Sequence, residues 1–318
     1  MARPLRIDVA WGWYHVTSRG INRQAIFREE RDWVHFLELV GEMPERYGVL
    51  VHAYVLMTNH FHLLIQTPRA NASRAIHWLK TAYTVWLNVK YGRNGPLFQG
   101  RFKAVLVDGN GSWALEASKY IHLNPVRLQK FGQGKQELKA QRKGIGKEAT
   151  GEEIRKRLEV LRGYRWSSYR AYGGYEKGYE WLTTKELLRR AADRKQDAAK
   201  EYRGYIETAV RQGETPPETW VQSVIWGSRK FLEKMAKYVK GDRREQRELR
   251  NWEKAVSFED TVKVVERMKG EKWVEFVNRH GDWGRDAVLW AARKWSGLTL
   301  REIGKKAGGM DYGAVSQA

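Results

Sequence analysis

The sequence predicts an α+β protein: a ferredoxin-like β-α-β-β-α-β domain, then a mainly helical C-terminal region ending in a helix-turn-helix. Three observations carry this. Short runs rich in aromatic and β-branched residues alternate with two long amphipathic stretches between Trp13 and Val107. The two middle runs are separated only by Thr58-Asn59-His60, a hairpin connection rather than a crossover. Beyond Arg285, apolar residues recur at helical spacing and are interrupted by Gly297 and by Gly308-Gly309.

Taken in order, Trp13 to Thr17 alternates with a period of two and reads as the first strand, broken by Gly20-Ile21-Asn22-Arg23. Asp32 to Tyr47 spaces Val34, Leu37, Val40 and Met43 as on a helix, and Gly48 ends it. Val49 to Met57 and Phe61 to Gln66 are the second and third strands. Ala70 to Tyr91 is an amphipathic helix through Ala75, Trp78, Leu79, Ala82, Val85 and Trp86, and Gly92 to Gly95 turns the chain. Phe102 to Val107 is the fourth strand, and Gly109-Asn110-Gly111 a turn. Ser112 opens a helix that runs to about Asn124, because Pro125 cannot continue it. A sheet with two helices on one face leaves its other face open to a ligand or to that extra helix.

From Gln129 to Arg162, glycines (Gly132, Gly134, Gly144, Gly146) mix with cations (Lys135, Lys139, Arg142, Lys143), which predicts a solvated basic insertion closed by a short helix, Glu152 to Leu161. Tyr164 to Tyr175 is aromatic and is expected to pack back on the first domain. Thr183 to Val210 reads as one or two helices, and Pro216-Pro217 marks a boundary. Arg229 to Lys254 has the i,i+4 charge spacing of an exposed helix. Arg285 to Trp295 is a helix capped by Gly297. Thr299 and Glu302 form a capping box for the next, Leu300 to Ala307, and Asp311 caps a third, Tyr312 to Ala318. The expected division is 1–173 (with the basic insertion at 129–162), a charged helical linker region over 174–255, and a DNA-binding domain over 256–318.

Composition narrows the partners. The chain has 318 residues, 58 Lys and Arg against 37 Asp and Glu, and a net charge of +21. That excess points to a polyanion, and 15 Trp, 15 Tyr and 9 Phe beside the cations suit unstacked bases. With no Cys, disulfides, thiolate zinc sites and thiol catalysis are excluded. Mean hydropathy is −0.67, no apolar run reaches the roughly 18 residues that span a bilayer, and the N-terminus lacks a signal-peptide core. The expected location is the cytoplasm, in association with the nucleoid, with no membrane partner.

His60 and His62 flank Phe61 in a strand pattern. Residues two apart on a strand share a face, about 6.6 Å apart along it, so both imidazoles can address one divalent ion while Phe61 enters the core. Two neutral imidazoles leave coordination positions for phosphate oxygens, as a Lewis-acid nuclease requires. A lone His-x-His is more often incidental, but Tyr120 and Asn124 follow, four apart on one helical face. A helix laid across the sheet would bring the Tyr120 hydroxyl and the Asn124 amide to the metal. Tyrosine is a weak nucleophile at its free pKa of about 10, and a metal-polarised phosphate compensates. Such a cut leaves a 5′-phosphotyrosine and a free 3′-hydroxyl, and is reversible.

Four ordered motifs carry a family resemblance: Trp13-Tyr14-His15-Val16-Thr17-Ser18-Arg19-Gly20-Ile21-Asn22-Arg23; Tyr54-Val55-Leu56-Met57-Thr58-Asn59-His60-Phe61-His62-Leu63-Leu64; Tyr120-Ile121-His122-Leu123-Asn124-Pro125-Val126-Arg127; and Trp166-Ser167-Ser168-Tyr169. Over about residues 1–173 the chain resembles the REP-associated tyrosine transposases of the HUH single-strand nucleases. The resemblance implies a divalent ion (Mg²⁺ or Mn²⁺) on His60 and His62, with Tyr120 as nucleophile. Relatives use Gln as third ligand where this chain has the shorter Asn124. The resemblance also implies single-stranded, REP-like DNA hairpins as substrate. Arg19, Asn22 and Arg23 are placed to read bases, and Arg101 and Lys103 to hold the backbone.

The C-terminal Leu298 to Val315 stretch resembles the duplex-binding domain of the replication initiator DnaA, although only Asp311 and Val315 match its DNA-contacting segment. The expected DNA-facing set there is Arg301, Lys305, Lys306, Asp311 and Tyr312, with phosphate contact from the three cations. The functional alternatives are a non-catalytic hairpin-binding regulator and a charge-driven nucleoid protein. Monomer and homodimer both remain open.

Overall fold

The computed structural model describes residues 7–110, 112–127, 149–192, 197–213, 224–238, 257–296, 298, 300–311 and 314–315. These fall into two compact units: 8–106 with 114–215, and 1–7 with 107–113 and 216–318.

The first unit has the predicted order: β1 (Gly12–Arg19), α1 (Glu30–Tyr47), β2 (Leu50–Met57), β3 (His60–Thr67), α2 (Ala72–Lys90), β4 (Lys103–Val107) and α3 (Trp113–His122). The sheet order in this unit is β2-β3-β1-β4. Both β1 and β2 run antiparallel to the central β3; Thr17 and Val55 lie opposite His62, and Arg19 and Met57 opposite His60. The fold is α+β and ferredoxin-like, as the sequence predicts.

One face of the sheet is apolar. Phe61 is fully buried, with its ring 4.9 Å from Phe36 of α1 and 5.9 Å from Phe98. Tyr83 of α2 meets Phe36 at 5.0 Å and donates its hydroxyl to Ile26 O at 2.7 Å. Asp32, buried at the start of α1, accepts from the backbone of Arg28 and Glu29, from Lys90 Nζ at 2.6 Å and from Tyr91 Oη. It therefore caps α1 and pins the end of α2 to it. These bonds hold its carboxyl below the usual range against the opposing effect of burial.

The free edge of β2 is closed by later chain. Leu56 N–H donates to Trp166 O at 2.8 Å, Ser168 N–H to Tyr54 O at 3.0 Å, and Thr183 N–H to Val51 O at 2.8 Å. The Trp-Ser-Ser-Tyr segment is thus an edge cover, which removes an unpaired row of backbone groups. Beyond it lie α4 (Gly151–Gly163), α5 (Tyr169–Tyr172), α6 (Lys185–Ala191) and α7 (Ala198–Arg211). The stretch expected to be one or two helices over 183–210 is two. Both pack within the first unit although the sequence reads 174–255 as a linker region.

The second unit contains α8 (Arg229–Ala236), α9 (Phe258–Lys269), α10 (Trp273–Phe276), α11 (Trp283–Trp295) and α12 (Leu300–Lys306). Ser257 and Asp282 cap α9 and α11; α11 begins two residues before the expected Arg285 because the Asp282 carboxylate accepts from Gly284 and Arg285. Phe258, Val265, Phe276, Val288, Leu289, Ala292, Ile303, Ala307 and Val315 form its core. At Gly304 a Cβ would stand 2.0 Å from Met310 O, so only glycine lets the turn after α12 fold back. The expected basic insertion from 129 to 148, the 239–254 part of the charged helix, Pro216-Pro217, Gly297, Thr299 and Tyr312 lie outside the described residues. No helix among the described residues is long and apolar enough to cross a membrane.

Candidate active site

The second face of the sheet is polar, and its residues come from three elements. Because residues opposed across an antiparallel pair share a face, His15, Thr17 and Arg19 of β1 lie with His60 and His62 of β3. The strand begins at His60 rather than Phe61, so both histidines have strand geometry, with ring centroids 5.1 Å apart. Helix α3 crosses this face. The Tyr120 ring is 5.3 Å from His15 and 5.8 Å from His62, edge-on to both. His60, His62 and Tyr120, far apart in sequence, thus lie on one face, and the tyrosine is half-buried.

Hydrogen bonds orient the imidazoles. His60 Nδ1 lies 2.7 Å from Asn59 Oδ1, and His62 Nδ1 lies 2.8 Å from Nε2 of His15, the two rings nearly parallel at 9°. Burial, reinforced by the Arg19 charge, pushes His60 down to about 4. Burial, then His15, His60 and Arg127, holds His62 well below the imidazole range. Burial and Lys103 take His15 down to about 3. All three are neutral near pH 7, the form in which imidazole binds a metal. Among the described residues no group of three His, Cys, Asp or Glu side chains is arranged to hold an ion. The neutral imidazoles on this face that would be offered to a divalent cation are those of His60 and His62.

Asn124 differs from expectation. Helix α3 ends at His122, and Asn124 starts a 3₁₀ turn, Asn124–Val126, ahead of the arrest imposed by Pro125. Its Nδ2 donates to Tyr120 O at 2.9 Å and Ile121 O at 3.1 Å, so it caps the helix end and only Oδ1 is left for any other partner. Arg127, absent from the sequence-derived set, donates to Tyr120 O at 3.3 Å and stands 5.2 Å from the Tyr120 ring.

Helix α3 is held from behind by buried polar contacts. His122 is fully buried, with Nδ1 2.7 Å from Tyr202 Oη and Nε2 2.7 Å from Ser168 Oγ. Tyr202 also meets Ser118 Oγ at 2.8 Å, and Ser168 bonds to the backbone of Tyr54 on β2. Tyr205 donates to Glu116, which pairs with Lys119 at 2.9 Å, all three buried. Burial alone takes His122 down to about 3. Two motif residues, His122 and Ser168, thus fix the helix that carries Tyr120.

The predicted nucleic-acid contacts divide. Arg19, Asn22, Arg23, Arg101 and Lys103 are exposed. Asn22 and Arg23 hold φ of 50° and 61°, the left-handed region that non-glycine residues occupy at a cost of roughly 1–3 kcal/mol. The loop is kept there by Gly20 N–H donating to Asn59 O and Asn59 Nδ2 donating to Arg23 O, at 2.9 and 3.0 Å. Lys80 Nζ stands 5.0 Å from the Phe98 ring and 5.9 Å from the Phe102 ring. In the second unit Lys305 is exposed, but Lys306 pairs with Glu259, so it is the weaker candidate for phosphate. Asp311 accepts from Ala314 N–H at 3.0 Å, the predicted cap. The Arg301 side chain and Tyr312 lie outside the described set.

Residues 9–124 match the family model described as IS200-like transposase. Six solved chains are similar. One is a REP-associated tyrosine transposase bound to a REP hairpin, 14% identical over 58% of this chain and 92% of that chain, with a TM-score of 0.40. No curated protein sequence matches. The matched stretch, 9–124, carries β1 to β4 together with His60, His62 and Tyr120.

Proposed function

We propose that the first unit is a metal-dependent single-strand DNA endonuclease and strand transferase that acts on REP-like hairpins through Tyr120. The observation that carries this reading is the placement of the Tyr120 ring 5.3–5.8 Å from His15 and His62, on the face that also presents His60. Binding alone does not require a histidine pair and a tyrosine edge-on to it.

His60 and His62 would hold Mg²⁺ or Mn²⁺, with the Asn124 oxygen a candidate third ligand. When bound, the ion supplies Lewis-acid polarisation of the scissile phosphate. Tyr120 Oη attacks phosphorus, the P–O3′ bond breaks, and the phenolic proton ends, in net balance, on the released 3′-hydroxyl. The phosphoester bond is kept as a 5′-phosphotyrosine, so a 3′-hydroxyl can reverse the step on the same or another end. Arg127 beside the tyrosine offers a fixed positive charge to the phosphate. Arg19, Asn22 and Arg23 would read flanking bases from a loop held open by its backbone, and Arg101 and Lys103 would track the backbone by charge.

The test is to incubate the full chain with single-stranded hairpin DNA and Mn²⁺ and look for a covalent protein–DNA adduct that EDTA suppresses. Adduct in the presence of chelator would contradict a metal site. Hairpin binding with no adduct under any divalent ion would favour the regulator reading.

For the second unit we infer a helix-turn-helix of α11, α12 and the helix that Asp311 caps, which would contact duplex DNA through Lys305 and Arg301, with weaker contributions from Lys306 and Tyr312. Gly304→Ala should destroy the turn, given the 2.0 Å approach to Met310 O, and abolish duplex binding while leaving hairpin binding intact. Unchanged duplex affinity in that variant would count against this surface.

A further inference from the structure

Asn59 makes two hydrogen bonds that fix which way its amide points. Its nitrogen faces Arg23 O at 3.0 Å, and a carbonyl can only accept, so the NH₂ must lie there. Its Oδ1 then faces His60 Nδ1 at 2.7 Å, and that ring nitrogen must carry the proton. A neutral imidazole has one N–H, so His60 Nε2 keeps its lone pair. His62 is engaged through the same nitrogen: Nδ1 lies 2.8 Å from His15 Nε2, in a nearly coplanar pair on the buried part of the face. Both histidines therefore meet a protein partner at Nδ1; Asn59 fixes the His60 tautomer, whereas the His15–His62 contact is satisfied by a proton on either ring. Metal-ligating imidazoles are tuned in this way, since the N–H donated to a neighbour fixes the tautomer and the ring plane.

We propose that His15 and Asn59 are positioning residues that set His60 and His62 in the Nδ1–H tautomer with both Nε2 lone pairs available to one divalent cation. The inference rests on the metal-site reading of His60 and His62 and adds two residues to it. Asn59 does more than orient His60. The same amide ties down the Gly20–Gln24 loop, so the segment proposed to read DNA and the first metal ligand share one side chain. A disturbance of the loop reaches His60 through a single residue.

The tautomers are read directly in the full chain by two-bond ¹H–¹⁵N spectra of the histidine rings, without metal. The Nδ1–H form is expected for both His60 and His62, and an Nε2–H form for either would overturn the proposal. The second measurement is a Mn²⁺ titration without DNA, by calorimetry or electron paramagnetic resonance. His15→Leu and Asn59→Leu remove the acceptors and should weaken Mn²⁺ binding by about 10–100-fold. His15→Gln and Asn59→Asp keep an acceptor and should stay within a few-fold of the parent. Asn59→Asp also gives up the donor to Arg23 O, so it should lose hairpin affinity while retaining Mn²⁺. Equal Mn²⁺ affinity in the Leu variants and the parent would contradict the positioning role. Failure of the parent to bind Mn²⁺ would instead contradict the metal site itself.

Discussion

Phe61 and its two neighbours, His60 and His62, occupy consecutive positions on one strand, and they face opposite problems. Phe61 enters a packed aromatic layer with Phe36, Tyr83 and Phe98. The histidines lie on the polar face under α3, and every contact that orients them is a hydrogen bond or a ring edge. The first face is stabilised by area and volume, which tolerate little loss. The second is specified by direction, which tolerates a change of bulk but not of donor or acceptor. The strand's period of two lets one segment serve both.

Mutations on the two faces should separate cleanly. Phe61→Ala should have the largest effect on stability, about 3–5 kcal/mol by chemical denaturation, because the ring is fully buried against Phe36 and Phe98. His60→Ala, at a position only partly buried, should cost much less stability yet eliminate adduct formation. Comparable stability losses at the two positions would dissolve the distinction between the faces.

An intermediate effect is expected behind α3. Tyr202→Phe removes one hydroxyl shared by His122 and Ser118, and should cost about 1–2 kcal/mol. It should also slow adduct formation at saturating hairpin without changing hairpin affinity, because α3 sets where Tyr120 sits. A loss of stability with an unaltered cleavage rate would show that α7 does not position the helix.

The smallest effect concerns acidity. His52, bonded through Nδ1 to Thr183 O, is pushed down to about 4, chiefly by burial, and His122 to about 3. Free imidazole titrates near 6.5. Between those values the unfolded chain binds more protons than the folded one, so stability rises with pH across the window and levels off above it. Unfolding free energy should fall as the pH drops from 7 toward 4, and His52→Gln should make that fall shallower. An unchanged slope in the variant would mean that His52 does not contribute.

Much of this was legible in the sequence. The order of strands and helices follows from period and turn residues, and the His60/His62 pair follows from strand spacing. Tyr120 was identified by its motif, and its approach to the sheet follows from the open face. What was not legible depends on register or on distant chain. His15 shares the site only because β1 pairs with β3 so that Thr17 meets His62; its period-two place between Trp13 and Thr17 was visible, its partner was not. Tyr202 lies 80 residues from His122 in sequence, and no local pattern announces that contact. The α-helix ends at His122, two residues before the expected Asn124, and the Tyr120 and Ile121 carbonyls accept from the Asn124 amide. Ser168 reads as a motif residue and turns out to tie the β2 edge to His122.

The most direct test of the account is a comparison of the parent chain with Tyr120→Phe, each incubated with a single-stranded hairpin and Mn²⁺ and resolved under denaturing conditions. The parent should yield a DNA-linked species of lower mobility together with a free 3′-hydroxyl fragment. Tyr120→Phe should bind the hairpin with similar affinity and yield neither. A covalent adduct undiminished in Tyr120→Phe would place the nucleophile elsewhere and contradict the assignment of this face as the active site.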